Sequence, residues 1–205
     1  MKKTFLTLSF AILFVLNAFS QVSYGVHAGI SVYKVKDFIA DNALAGFTGG
    51  VHAQVSIAKS FVIQPEVNFQ MQGSRYNYLG FMGDIANVEF EDSYRFNYLN
   101  IPILIKYQIP TTTLNVFAGP QNGFLLSAKH RSTPKDFETH TYDVKDQMNS
   151  YTFSGVYGIG WDFPQPNNHK ISLEARYSND FTKLEKAASS NAKNHGFSFM
   201  LAYTF

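Results

Sequence analysis

The sequence contains no cysteine among its 205 residues. This absence excludes disulfide bonds, thiolate metal sites, a cysteine nucleophile and a lipid anchor attached to cysteine. Charged residues make up only 16% of the chain, and they form no cluster of Lys and Arg that would indicate a nucleic-acid partner. After residue 20, no apolar run is long enough for a helix to span a bilayer.

The first 20 residues have the features of an export signal. Two lysines precede an apolar segment from Phe5 to Phe19, and Ala18-Phe19-Ser20 forms a small-x-small cleavage site. The apolar segment is shorter than the ~18 residues of a membrane-spanning helix, which argues against that alternative. We therefore predict a cleaved signal peptide over residues 1–20 and a mature domain over residues 21–205 with equal numbers of acidic and basic side chains.

The mature sequence alternates between apolar and polar residues with a period of two, which is the period of a strand with two unlike faces. The last segment, 195–205, shows this most clearly, because its odd positions from Phe197 to Phe205 are all aromatic or leucine. In segment 114–126 we expect a bulge near Pro120, where the parity slips. Seven further segments alternate in this way: 22–32, 47–57, 61–71, 94–107, 114–126, 151–163 and 170–178.

Eight segments of roughly ten residues match the length of tilted membrane strands. Since only helices and closed barrels satisfy their backbone groups in hydrocarbon, we predict an all-β fold, a closed antiparallel up-and-down transmembrane barrel of about eight strands. Connections 33–45, 72–93, 127–150 and 179–194 are long, and those between are short. Short turns on one side and long loops on the other are typical of β-barrels in the cell outer membrane, which is the location we predict.

Alternation alone does not say which face is inside, since a soluble ligand-binding barrel would turn its apolar face inward. Two features favour lipid on the outside. The polar parity is rich in the small residues Gly, Ser and Thr, as a narrow interior requires. Aromatic residues collect near the short-turn ends, as in an interfacial girdle: Tyr24, Phe61, Tyr107, Trp161, Phe163, Tyr203 and Phe205.

Several segments resemble the PorT-type family of small outer-membrane β-barrels of Gram-negative bacteria. The resemblance implies insertion by the barrel-assembly machinery, which would read Leu201, Tyr203 and Phe205 in the last strand as the insertion signal. It also implies an association with protein secretion for some members. The segments that carry it are IQPEVNFQMQG (63–73), YLNIPILIKY (98–107), VFAGPQNGFLL (116–126), YGIGWDF (157–163), LEARYSNDFTKL (173–184) and the terminal LAYTF.

Five charged residues fall on the parity that faces the barrel interior. Buried charges must be paired, so we expect an internal network of salt bridges and hydrogen bonds that fills the lumen. A proton or ion pathway is the alternative use of such charges. The five are Glu66, Lys106, Asp162, Glu174 and Arg176.

His27, His52 and Glu66 form a candidate metal site. A first loop centred between residues 39 and 40 would place His27 opposite His52, and a turn centred on Lys59 places His52 opposite Glu66. Two imidazoles and a carboxylate could bind a divalent ion, although a register shift of two residues would break the row. Hydrogen-bonded interior histidines are the competing interpretation, and we predict no metal and no cofactor.

The long loops offer two further hypotheses. Residues 75–83 carry Tyr76, Tyr78 and Phe81, which is more apolar surface than a solvated loop needs and indicates a partner, unless the strands continue there and these residues pack together. An enzyme acting on lipid would draw on loop 127–150, but no motif frames a serine, no His-Glu-x-x-His occurs and no phosphate-binding glycine loop is present. The candidates for such an enzyme are Ser127, His130, Glu138, His140 and Asp143.

We therefore expect a non-enzymatic outer-membrane protein with a plugged lumen and a structural or interaction role. Envelope assembly, protein secretion and surface contact through the long loops are the roles that this architecture fits. The partners would be outer-membrane lipid, the assembly machinery and another envelope or secretion protein. An outer-membrane enzyme and a narrow transporter or small-ligand binder are the alternatives.

Overall fold

The computed structural model describes residues 22–37, 40, 42–187 and 191–205, so the predicted signal peptide lies outside the described residues. Their regular structure is nearly all strand, with two single-turn 3₁₀ helices at Lys145–Gln147 and Pro166–Asn168. None of the helices in these ranges is long and apolar enough to cross a bilayer. The strands are β1 (Val22–Lys36), β2 (Asn42–Ala58), β3 (Phe61–Met82), β4 (Ile85–Gln108), β5 (Leu114–Pro134), β6 (His140–Asp143), β7 (Tyr151–Pro164), β8 (Lys170–Asp180) and β9 (Lys193–Thr204).

Eight of these strands close into a ring, in which every strand is antiparallel to both neighbours. The first and last strands join, with β1 paired to β9 from Gly25↔Thr204 to Lys36↔Lys193. The seam ends in two backbone hydrogen bonds, in which the Tyr24 and Phe205 N–H groups donate to each other's carbonyl oxygens over 3.3 and 2.8 Å. Strand β6 pairs only with β5, outside the ring. The prediction of an eight-stranded up-and-down barrel is confirmed.

The apolar parity faces outward and the polar parity faces inward. Ile30 and Ile159 are 58% and 63% exposed, whereas Lys106 is 1% exposed. Exposed aliphatic side chains around a polar, buried interior are stable only where the surroundings are hydrocarbon. The lipid-facing prediction is therefore confirmed, and the soluble barrel is excluded.

The third and fourth strands are much longer than the predicted segments. The last pair between β2 and β3 is Asn42↔Arg75, and beyond it β3 continues with β4 as its partner as far as Met82↔Ile85. Prediction of a long loop over 72–93 is wrong, because the alternation of both strands continues to a tight turn at Gly83, where φ is +58°. We call residues 76–82, 85–94, 129–134 and β6 the external extension.

The predicted bulge near Pro120 is also wrong in position. Pro120 pairs in register with Gly155, and β5 keeps its parity from Leu114 to Leu126. The register with β4 changes between Tyr98↔Leu125 and Asn97↔Ser127, so Leu126 is the additional residue. This bulge turns the even-numbered residues from 128 to 132 toward the inner face of the sheet.

Candidate functional site

The centre of the lumen holds a cluster of two positive and two negative side chains, from β3, β4 and β8. Arg176 donates from Nη1 and Nη2 to the Glu66 carboxylate over 2.7 and 2.8 Å. It also donates to Glu174 Oε2 from Nε over 3.1 Å and from Nη2 over 2.5 Å. Lys106 Nζ donates to Glu174 Oε1. All four residues are at most 6% exposed, so each buried charge has a partner of opposite sign.

An aromatic ring supports this cluster from β5. Lys106 Nζ lies 5.0 Å and Arg176 Cζ 5.3 Å from the ring centroid of Phe117, within the range of a cation–π interaction. The ring occupies space that Gly158 on β7 leaves open, because a Cβ atom at that position would lie 2.3 Å from Phe117 Cζ. The glycine is therefore required by a close approach of the ring.

The fifth predicted charge, Asp162, lies nearer the short turns and has its own partners. Ser172 Oγ donates to it over 2.6 Å and Gln108 Nε2 over 2.9 Å, and Lys170 Nζ lies 3.4 Å away. Sequence reasoning missed Lys170, although its parity is that of Ser172 and Glu174. With Lys170 included, three positive and three negative side chains form the ion pairs of these two groups.

Amides connect the two charge groups. Lys170 Nζ donates to Gln54 Oε1 over 3.0 Å, Gln54 donates to Gln64 over 2.7 Å, and Gln64 donates to Glu66 over 2.5 Å. Further up the lumen, a cavity of about 10 Å³ beside Arg176 and Gln70 has room for no more than about one water molecule. The lumen of the described barrel is thus filled by side chains.

The three residues of the predicted metal row are neighbours, but they form a hydrogen-bonded chain. The first register is wrong by two residues, because His52 lies opposite Gly25 and His27 opposite Gly50; the pairing of His52 with Glu66 is as predicted. Long connections do not fix register, whereas the tight turn before β3 does. The two rings still meet diagonally, with 3.2 Å between their Nδ1 atoms.

The hydrogen-bond partners of His27 and His52 determine which nitrogen of each imidazole carries the proton. Asn68 donates to Glu66 over 2.8 Å through its amide nitrogen, so its oxygen accepts from His27 Nε2 over 2.7 Å. For neutral rings, His27 Nδ1 then accepts from His52 Nδ1, and His52 Nε2 accepts from Thr204 over 3.0 Å. Glu66 is occupied by donors from three residues, and no three His, Asp or Glu side chains in the described ranges are arranged to hold a metal ion.

The three residues predicted as the insertion signal lie on the outer face of β9 and at the chain end. Leu201, Tyr203 and Phe205 are 55%, 41% and 56% exposed. Tyr203 stacks on His169 of the adjacent short turn, with ring centroids 5.6 Å apart and a hydroxyl contact of 3.0 Å to His169 Nδ1. On the same end of the barrel, Trp161 stacks on Phe163 at 5.0 Å. These rings form an aromatic band at the short-turn boundary.

The predicted partner residues lie in the external extension, on a regular ribbon. Tyr76 and Tyr78 stack with centroids 5.3 Å apart, and Tyr78 stacks on Phe90 at 5.0 Å. Leu79 and Phe81 are instead 68% and 76% exposed. The continued strands therefore account for the tyrosines, while the tip remains an exposed apolar surface.

The residues considered for an enzyme have separate partners. His130 Nε2 donates to Asp92 Oδ2 over 2.9 Å, and Ser127 Oγ accepts from Asn97 over 2.8 Å. Asp143 accepts from the backbone N–H of Lys145 over 2.9 Å. Glu138 and His140 are exposed. Asp92 was missed because residues 72–93 were predicted to be a loop; its parity within β4 is the signal that would have found it.

A closed strand ring with an apolar outside and a paired, charged interior defines an integral outer-membrane β-barrel. The chain belongs to the outer membrane protein beta-barrel domain family, whose model matches residues 17–185. This match confirms the outer-membrane location. In such barrels the short turns are periplasmic and the longer strand ends and loops external, so we expect the extension to lie outside the cell.

Solved structures of similar fold were found, whereas no match was found among curated proteins. Neisserial surface protein A is 12% identical, with a TM-score of 0.50 over 91% of this chain and 100% of that chain. Ail of Yersinia pestis, solved with the heparin analogue sucrose octasulfate, is 12% identical, with a TM-score of 0.45 over 90% and 99%. The outer-membrane protease OmpT of Escherichia coli is 12% identical, with a TM-score of 0.36 over 91% and 96%. At such identities the likeness shows the fold alone.

Proposed function

We propose that this protein is a non-enzymatic interaction component of the outer membrane, with a role in envelope assembly, protein secretion or surface contact. It binds another envelope or secretion protein through the tip of its external extension and uses no cofactor. The resemblance to PorT-type barrels supports a secretion-associated role. The barrel-assembly machinery would insert it through the aromatic end of β9.

The exposed apolar tip of the β3–β4 ribbon is the observation that carries this proposal. Leu79, Phe81 and Ile85 are 68%, 76% and 54% exposed, on a ribbon that extends beyond the ring into water. Apolar side chains on the lipid face need no partner, whereas a cluster in water is stabilised when a partner covers it. Regular pairing of the ribbon holds these side chains in place before any partner arrives, which lowers the entropic cost of binding.

The interior supports a role outside the lumen. The paired charges and amides described above leave a cavity of only about 10 Å³ beside Arg176, too small for a solute. The separate partners of His130 and Ser127 support a non-enzymatic role, because a serine nucleophile needs an adjacent base.

Site-specific photo-cross-linking in native outer membranes tests the proposal. A photoreactive amino acid at Phe81 should give one reproducible protein adduct, and the same group at Lys59, in the opposite short turn, should not. A shortened variant in which an Asn-Gly turn replaces residues 78–90 should keep the barrel folded and lose the partner on co-purification. Absence of a protein adduct at Phe81, with efficient labelling of lipid at Ile159, would reject the proposal.

A further inference from the structure

The inner face of the external extension contains a cavity of about 440 Å³ above the plugged lumen, and its lining reaches the tip residue Phe81. One row of paired residues crosses four strands there, through the pairs Tyr76↔Asp92, Asp92↔Ser132 and Ser132↔His140. The volume lies within the ~300 to 1,000 Å³ of small-ligand sites. The cavity therefore has the size of a binding site and a floor built by strand register.

Aromatic rows stand on either side of this floor. Toward the tip, Tyr78 and Phe90 stack with centroids 5.0 Å apart and planes 10° apart. Toward the membrane, Tyr94 and His130 stack at 4.3 Å and 3°, and Tyr142 extends that row with its centroid 5.9 Å from the ring of His130. Four residues of strand, ~3.4 Å each, separate Phe90 from Tyr94, which leaves a slot over the small side chains Asp92 and Ser132.

The floor carries an acceptor with no donor. Asp92 is 2% exposed, and its Oδ2 atom accepts from His130 over 2.9 Å and from Tyr76 over 3.4 Å. Its Oδ1 atom is buried and has no hydrogen-bond partner among the described residues. An unsatisfied buried carboxylate oxygen is costly, and Asp92 lines the cavity, so a rotation of its side chain would present Oδ1 to a ligand donor. The resulting hydrogen bond to a charged acceptor is stronger than an ordinary surface hydrogen bond.

The remaining polar groups define what the ligand must present. Burial, reinforced by the Asp92 carboxylate, raises the pKa of Tyr76 to about 12, so its hydroxyl keeps its proton. The carboxylate repels anions, and the ring walls favour a flat, weakly polar face. A ring with hydroxyl donors on its rim and C–H groups on its faces meets these requirements.

We propose that this slot binds a neutral saccharide ring, with a sugar hydroxyl donating to Asp92 Oδ1 and the sugar faces packed between the two aromatic rows. The inference rests on the proposed function only in placing the extension outside the cell. A glycan on a neighbouring surface and the sugars of the outer-leaflet lipid share this chemistry. The sequence signal for the site is the alternation Tyr76-x-Tyr78 on β3 and His130-x-Ser132 after the Leu126 bulge on β5.

Saturation-transfer NMR on the purified barrel, in a detergent without a sugar headgroup, provides the test. Glucose, galactose, N-acetylglucosamine and maltose are the probes, and at least one should receive saturation on its ring protons. Asp92→Leu and, separately, Tyr142→Ala should lower the affinity for that sugar by about tenfold or more. Glu91→Leu, an exposed carboxylate on the opposite face of the same strand, is the matched control and should bind as the parent does.

Competition experiments on the same sample distinguish a surface glycan from the sugars of the outer-leaflet lipid. Nanodiscs containing lipopolysaccharide should compete with the bound sugar if the outer leaflet is the source, and nanodiscs of phospholipid alone should not. Binding of none of the four sugars, or equal binding by folded Tyr142→Ala and Glu91→Leu, would overturn the inference. Phe81 also lines the cavity, but its cross-linking reports a protein adduct, whereas the NMR measurement reports a sugar. Failure of sugar binding therefore leaves the proposed function to stand or fall on its own measurement.

Discussion

Arg176 holds Glu66 in a two-point hydrogen bond across the full width of the barrel, over 2.7 and 2.8 Å, although the residues are 110 positions apart. Their strands, β8 and β3, are separated by four places in the ring of eight and therefore face each other. The pair is a cross-brace through the lumen, and it explains why the interior is closed at this level.

Removal of Arg176 should destabilise the barrel strongly. Arg176→Met leaves Glu66 and Glu174 with one remaining cation, Lys106, and breaking a buried pair costs about 3 to 5 kcal/mol. Urea unfolding in lipid vesicles, followed through the single tryptophan, measures this loss. Arg75→Met is the control, because Arg75 and Glu91 are 3.8 Å apart and 52% and 56% exposed, and should cost no more than about 1 kcal/mol. Similar losses in both variants would contradict the role of the cluster.

The barrel should not conduct ions. Planar-bilayer recordings of the parent protein should remain at the background of the bilayer. Replacement of Glu66, Lys106, Glu174 and Arg176 by alanine empties the lumen at the brace, and any folded fraction should then show unitary currents. Stable currents from the parent would show that a continuous water path crosses the brace.

Loss of the terminal aromatic residues should impair insertion more than folding. Phe205→Ser with Tyr203→Ser removes the rings that the assembly machinery is expected to read, while the backbone bonds between Tyr24 and Phe205 remain. The rate of insertion by reconstituted assembly machinery should fall several-fold, and spontaneous folding into detergent micelles should change little. Tyr157→Ser, on the same outer face of β7, serves as the control. Equal slowing in both assays would place the defect in barrel stability.

A side chain at Gly158 should strain the interior. Gly158→Ala brings a Cβ atom within 2.3 Å of Phe117 Cζ and 2.7 Å of the Ala175 carbonyl oxygen, and overpacking of this kind costs about 1 to 3 kcal/mol. Phe117→Leu in the same chain should restore part of the loss, because the ring contact is relieved and the backbone contact is not. The urea midpoints of the parent, the two single variants and the double variant measure this. A double variant that is less stable than additivity requires would rule out the steric explanation.

Strand number, facing and the interior location of the charges followed from a period of two, because parity is a local property of the sequence. Lys170 was open to the same reasoning, since it shares the parity of Glu174. The register between two strands that are joined by a long connection was not open to this reasoning. The predicted pairing of β1 with β2 was therefore wrong by two residues, and His27 lies opposite Gly50 and not His52. The Leu126 bulge could not be read from the sequence either, because the apolar Leu125 and the small Ser127 and Ala128 beside it fit either parity.

The length of β3 and β4 was underestimated for a related reason. Predicted segments were ended at the width of a bilayer, whereas the alternation continues through Tyr76 and Tyr78 and returns through Asp92. Where a strand continues beyond the membrane, its amino-acid composition does not change in a way that reveals the membrane boundary. Asp92, Ser132 and their aromatic neighbours were consequently divided between two loops, and the slot they form was not predicted.

The brace between Glu66 and Arg176 also governs the order in which the barrel can be made. Its anion is supplied early in the chain and its cation late, from opposite walls of the finished cylinder. A partly built sheet in the bilayer would carry both charges naked toward hydrocarbon. We therefore expect the brace to form only when the last strand closes against the first, so that ring closure and charge pairing occur together.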